Sequence, residues 1–228
     1  MPYYLGRKAI RKVPGTVIKA APIPRPVLIE GFGKRSQVGT ICAKSGFASA
    51  LLVTDETLFG LGLHEKVVQS LEKNGIAYAV FHAIDSEPTV DIVEAGRQAA
   101  VDCGADCIIA LGGGSVLDSV KIIAAGAKHP HLPIRHYLHK FAIAEGGTLP
   151  IVNIPSTAGT GAECTVGAVV KNKSGTKNST VLIGLDVVVL HFFPDVFPRL
   201  VVDVERIAVS AFPVRYGQAR SDLPAQGR

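Results

Sequence analysis

Residues 107–111, Cys-Ile-Ile-Ala-Leu, are apolar at every position and run straight into Gly112, Gly113 and Gly114. A strand of that kind must be covered on both faces, which a parallel sheet sandwiched between helices provides. The preceding chain repeats the same alternation. Ala50 to Thr54 is a short apolar run, followed by Leu58, Leu61, Val67, Val68 and Leu71 at helical spacing, with Asn74-Gly75 as the stop. Ala77 to Phe81 predicts a second strand, and Val90, Ile92, Val93 and Ala99 a second helix halted near Gly104. Ser115 to Ala127 predicts a third helix directly after the 107–111 strand. Strand and helix in turn predict an α/β fold: a Rossmann-like parallel sheet with helices on both faces. A looser stretch at 128–149 leads into β-like runs at 151–154, 166–171 and 181–190.

Composition narrows the class of function. With 47% hydrophobic and 19% charged residues in 228, general disorder is excluded. No apolar run approaches the roughly 18 residues of a membrane span. The four cysteines make no disulfide framework, and Cys103 and Cys107 have three residues between them, which is not a C-x-x-C redox pair. The net charge of +5 is unevenly spread. Residues 1–29 hold six basic residues and no acid, whereas 30–190 hold 13 basic and 15 acidic. A near-neutral body gives no reason to expect nucleic acid or a membrane as partner. The basic lead, 1–26, reads as an extended segment laid over the domain. Against a transit peptide stand the absence of Ser before Ser36 and the helix-breaking Pro14, Pro22, Pro24 and Pro26. The expected location is cytoplasmic, with a mitochondrial one as the minor alternative.

Three loops at predicted strand ends could carry chemistry. In Gly112-Gly113-Gly114-Ser115-Val116-Leu117-Asp118-Ser119-Val120-Lys121, an apolar strand passes through glycines into a helix start. The first N–H groups of a helix have no internal partners and suit a pyrophosphate. An ordinary turn, with Ser115 and Asp118 as a near capping box, explains the same residues. Pro155-Ser156-Thr157-Ala158-Gly159-Thr160-Gly161-Ala162-Glu163 also follows a strand, and reads either as a small-residue ligand loop or as a plain Gly/Thr loop. Asp55 ends the first strand, where a carboxylate accepts ribose hydroxyls or caps the next helix.

Taken together, Gly112-Gly113-Gly114-Ser115-x-x-Asp118-x-x-Lys121 and Pro155 to Glu163 resemble the iron-containing (group III) alcohol dehydrogenase family in its amino-terminal half. Val53-Thr54-Asp55, Gly60-Leu61-Gly62 and Pro88-Thr89-Val90 are similar to it as well, so the likeness covers roughly 26–190. The resemblance implies a dinucleotide-binding domain at 27–190 and NAD-dependent oxidation of a small alcohol, or reduction of an aldehyde or ketone. It assigns the pyrophosphate to Gly112, Gly113, Gly114 and Ser115, and the nicotinamide side to Thr157 and Thr160. Asp118 would lie close to the cofactor, and Asp55 at the adenosine ribose, favouring NAD over NADP.

The family's metal, Fe or Zn, is held by an Asp, a His four residues on, and two later histidines. No Asp of this chain has a His at the fourth position, and the only His after His139 is His191. No metal ligand and no catalytic residue is therefore assigned. His129, His131, His136 and His139 fit no standard metal spacing, and Pro130 and Pro133 mark their stretch as a surface loop. From His191 the chain keeps no stable period, so 191–228 reads as an atypical tail in place of the family's helical metal domain. The alternative reading is accordingly a truncated, catalytically inactive NAD-binding fragment, with self-association through the face left by the missing domain.

Overall fold

The computed structural model describes residues 27–138, 142–143, 147–172, 177–183 and 187–193. The basic lead segment 1–26, His139 and the tail beyond 193 lie outside the described residues. The main sheet has six strands in the order β1-β9-β6-β4-β2-β3, every neighbouring pair parallel. These are β1 (Val27–Phe32), β2 (Ser49–Asp55), β3 (Ala77–Ile84), β4 (Cys107–Gly112), β6 (Ile151–Pro155) and β9 (Val187–Phe193). A smaller sheet of β5 (Ala142–Ile143), β8 (Lys177–Ile183) and β7 (Gly167–Lys171) stands beside it.

Two cores account for the unbroken apolar strands. Leu51, Val53, Ile108, Ala110 and Ile151 point to the face covered by α4 (Val90–Asp102) and α5 (Gly114–Lys128). Their alternates Ala50, Leu52, Ile109, Leu111, Val152 and Ile154 point to the face covered by α1 (Val38–Lys44) and α3 (Glu65–Lys73). Successive residues of a strand face opposite ways, so each Leu, Ile or Val contributes about 1.5–3 kcal/mol of burial to one core or the other. The expected doubly covered parallel sheet is thus what forms.

Two local expectations are corrected. The helical spacing from Leu58 to Leu71 does not make one helix. It is split into α2 (Glu56–Gly60) and α3 by a turn at 61–64. Gly62 takes φ +69°, with its N–H on Phe59 O at 3.0 Å and the Leu63 N–H on Leu58 O at 3.1 Å, which is a Schellman stop. Leu61 consequently stands 68% exposed instead of joining the core. The β-like run at 181–190 spans the end of β8 and the start of β9, which pair in different sheets. The pairing of β9 with β1 continues to Phe193.

Helix α1 packs on α3 through a glycine. A Cβ on Gly39 would stand 1.9 Å from Ser70 O, and the buried Ser70 hydroxyl donates to Ser36 O at 2.6 Å while accepting from Gly39 N–H at 3.0 Å. Gly39→Ala must therefore push the helices apart and is expected to destabilise the protein by about 2–3 kcal/mol in urea unfolding. Gly60→Ala, at a helical position with nothing nearby, is expected to be neutral or stabilising by up to about 1 kcal/mol.

Candidate functional site

Strands β2 and β4 are neighbours, but the helices that follow them go to opposite faces: α3 to one, α5 to the other. In an open parallel sheet such a switch leaves a crevice beyond the carboxyl ends of the two strands. The register brings all three loops to it. Thr54 pairs with Leu111, and Gly112 with Pro155, so Asp55, Gly112 and Pro155 end their strands in one row. Ser156 N–H donates to Gly112 O at 2.9 Å, binding the second loop to the first.

Seven of the eight residues expected at the site come together here. A Cβ on Gly112 would collide with Val116 Cγ2 at 2.4 Å. One on Gly113 would sit 3.2 Å from Thr157 Oγ1, and one on Gly114 3.4 Å from Thr160 Cγ2. The absent side chains thus let Thr157 and Thr160 close against bare backbone at the start of α5, forming a glycine cradle, and Gly113 is the extended residue from which α5 begins. Gly114, Ser115, Asp118 and Thr160 also line a cavity of about 620 Å³ that runs from the α5 N-terminus to β7. Asp55 is the exception. It sits at the crevice edge, but its Oδ1 accepts from Leu58 N–H at 2.8 Å and caps α2.

The near capping box is not made. Ser115 Oγ donates instead to Ser86 O at 2.7 Å, across to the loop before α4. Asp118 turns to Lys121, whose ammonium is 1% exposed and spends all three donors: on Asp118 Oδ1 at 2.9 Å, Thr165 Oγ1 at 3.1 Å and Gly167 O at 2.5 Å. Asp118 Oδ2 accepts from Val169 N–H at 3.1 Å. This pair ties α5 to β7 and fixes the width of the cavity between them. Sequence reasoning gave Lys121 no role, though an Asp and a Lys three apart inside an otherwise apolar helix are the spacing of a helix ion pair. It also missed Glu87, Lys171 and Lys177, which line the same cavity from other segments.

Residues 25–191 match iron-containing alcohol dehydrogenase as a sequence family. The chain belongs to the iron-containing alcohol dehydrogenases. It is 34% identical over 130 residues to lactaldehyde reductase of Escherichia coli K12, a match covering 57% of this chain and 34% of that one. A 1,3-propanediol oxidoreductase structure superposes with a TM-score of 0.66 at 30% identity, covering 74% of this chain and 45% of that one. The sulfoacetaldehyde reductase of Bifidobacterium kashiwanohense, solved with NAD+, gives 0.67 at 26% identity and the same coverages. The chain thus spans less than half the length of each of these relatives. They are oxidoreductases of small alcohols and aldehydes, and the family is NAD-linked.

The family's iron finds no fitting donor set among the described residues, where no three His, Cys, Asp or Glu stand close enough to hold an ion. His129 and His131 meet edge to face with ring centres 6.1 Å apart, and His136 packs on Tyr137. No step is therefore assigned to a metal. Among the described residues no helix is long and apolar enough to cross a membrane.

Burial pushes the Lys121 ammonium below the ordinary lysine range, against the pull of Asp118. Replacing it with Met strands the Asp118 carboxylate and is expected to cost about 3 kcal/mol. Because its folded pKa is depressed, the unfolded chain holds the extra proton between the two values. The native protein should therefore gain stability relative to Lys121→Met as pH rises through the alkaline range toward the ordinary lysine value. Paired urea titrations across that range check the sign.

Proposed function

We propose that this chain holds NAD with its pyrophosphate at the N-terminus of α5, and works in the NAD-linked interconversion of small alcohols and aldehydes. The cradle carries the reading: three glycines whose Cβ positions are taken up by Val116, Thr157 and Thr160. Backbone N–H groups at the start of a 15-residue helix supply the partial positive charge that a pyrophosphate needs. NAD, when bound, would accept hydride from the alcohol carbon while the hydroxyl proton leaves for solvent. The protein's part is to bind and orient. Gly113 and Gly114 admit the phosphates close to backbone. The Thr157 and Thr160 side chains, both exposed, border the far side of the cradle. Lys121 and Asp118 tie α5 to β7 and hold the adjoining cavity at fixed width. Asp55, beside the crevice, keeps Oδ2 for the adenosine ribose hydroxyls and repels a 2′-phosphate.

Calorimetric titration of the full chain with NAD, followed by NADH absorbance with propane-1,2-diol or lactaldehyde as substrate, tests the reading. Binding with turnover is the expected result. Binding without turnover restricts the chain to holding the cofactor, and no binding overturns the proposal. Gly113→Val fills the cradle against Thr157 and is expected to weaken NAD binding by more than about tenfold, or 1.4 kcal/mol. Asp55→Asn keeps the cap on α2 and removes the charge. It is expected to leave stability nearly unchanged while narrowing the preference for NAD over NADP, read as the ratio of the two dissociation constants.

A further inference from the structure

The cavity at the α5 N-terminus carries two lysines and an acid that the cradle does not explain. Lys171 ends β7 and Lys177 begins β8. Both ammonium groups reach Glu87, Lys171 in direct contact and Lys177 at 3.5 Å from Oε1. The loop that bears Glu87 is pinned from several directions. Ser86 O accepts from Ser115 Oγ at 2.7 Å, Pro88 O from Lys171 N–H at 2.9 Å, and Asp85 Oδ1 from the Glu87 N–H at 3.1 Å. The loop is thus fixed at the cavity rim, where the exposed Glu87 carboxylate meets both ammonium groups. Asp118, the other acid in the lining, has both oxygens engaged by Lys121 and Val169.

With Asp118 already paired to Lys121, the charges left around the lining are Lys171 and Lys177 against Glu87, a balance of one positive charge. Without Glu87, two ammonium groups would flank a helix start that is itself electropositive, and the cavity would attract any polyanion in proportion to its charge. With Glu87, one positive charge remains beside the backbone N–H groups, which suits a singly bridged pyrophosphate diester better than a more highly charged chain. The contact with Lys171, more than any other influence, holds the Glu87 carboxyl below the usual carboxylate range, so it stays ionised at neutral pH.

We propose that Glu87 is a specificity-determining residue: it offsets one of the two positive charges of Lys171 and Lys177 so that the cavity takes a dinucleotide in preference to more highly charged polyphosphates. This rests on the nucleotide reading above.

The experiment compares dissociation constants of NAD and inorganic tripolyphosphate for the native chain, Glu87→Gln and Glu87→Asp, at low and high salt. Glu87→Gln is expected to bind NAD roughly threefold more tightly and tripolyphosphate more than about tenfold more tightly at low salt, with the difference shrinking at high salt. Glu87→Asp shortens the bridge but keeps the charge, and its ratio of the two constants is expected to stay near the native one. Glu87→Gln shifting both ligands equally, or neither, overturns the role of Glu87 while leaving the nucleotide reading intact. So does Glu87→Asp behaving like Glu87→Gln, because the bridge and not the charge would then be what matters. Native chain and variants that bind neither ligand overturn both readings.

Discussion

Everything at the site follows from the burial of β4 on both faces. Its six residues are all buried, so its backbone groups are satisfied by β2 and β6 and its side chains by two separate cores. A strand so enclosed can present chemistry only where it leaves the sheet. It leaves through glycines, and their missing side chains make room for the neighbouring loops to close in. The helix that begins there is almost wholly apolar on its inner face, from Val116 to Ala125, and its start is fixed by the core beneath it. Position and partial charge of the cradle are therefore consequences of packing.

The fold was legible because its determinants are local and periodic. Strand runs and helical spacings, read with glycine stops, give β2, β3, β4, β6, α4 and α5 within a residue or a few. The split between α2 and α3 was hidden because Leu58, Leu61 and Leu71 keep a helical spacing across it. Only the left-handed Gly62 breaks the run, and a glycine inside a helical pattern does not announce its φ. The division of 181–190 between two sheets was hidden for a different reason. An apolar run says that a strand is buried and says nothing of which neighbour it pairs with.

At the site, the glycines, Ser115, Asp118 and the threonines were legible as motif residues adjoining strand ends. Ser115 was legible in place but not in contact, since its partner Ser86 lies 29 positions away. Glu87, Lys171 and Lys177 were invisible for the same physical reason. They come from the β3–α4 loop, β7 and β8, and only the folded topology makes them neighbours. Asp55 was legible in both of its readings at the strand end, and the capping one is made. Its Oδ1 takes the Leu58 N–H, the local contact that a strand-end carboxylate before a helix predicts.

The buried Lys121 bears on how position 121 can drift. Its three acceptors, a carboxylate, a hydroxyl and a backbone carbonyl, converge on a single point at the end of a flexible stem. A tetrahedral ammonium meets such a set, whereas the flat fork of a guanidinium does not. Arginine would preserve the charge and lose the fit, and methionine would preserve the stem and lose the charge. The usual intermediates by which a basic residue is exchanged are thus both closed. The site is constrained by the shape of its hydrogen bonding as much as by electrostatics, even though this residue is buried behind the cavity wall.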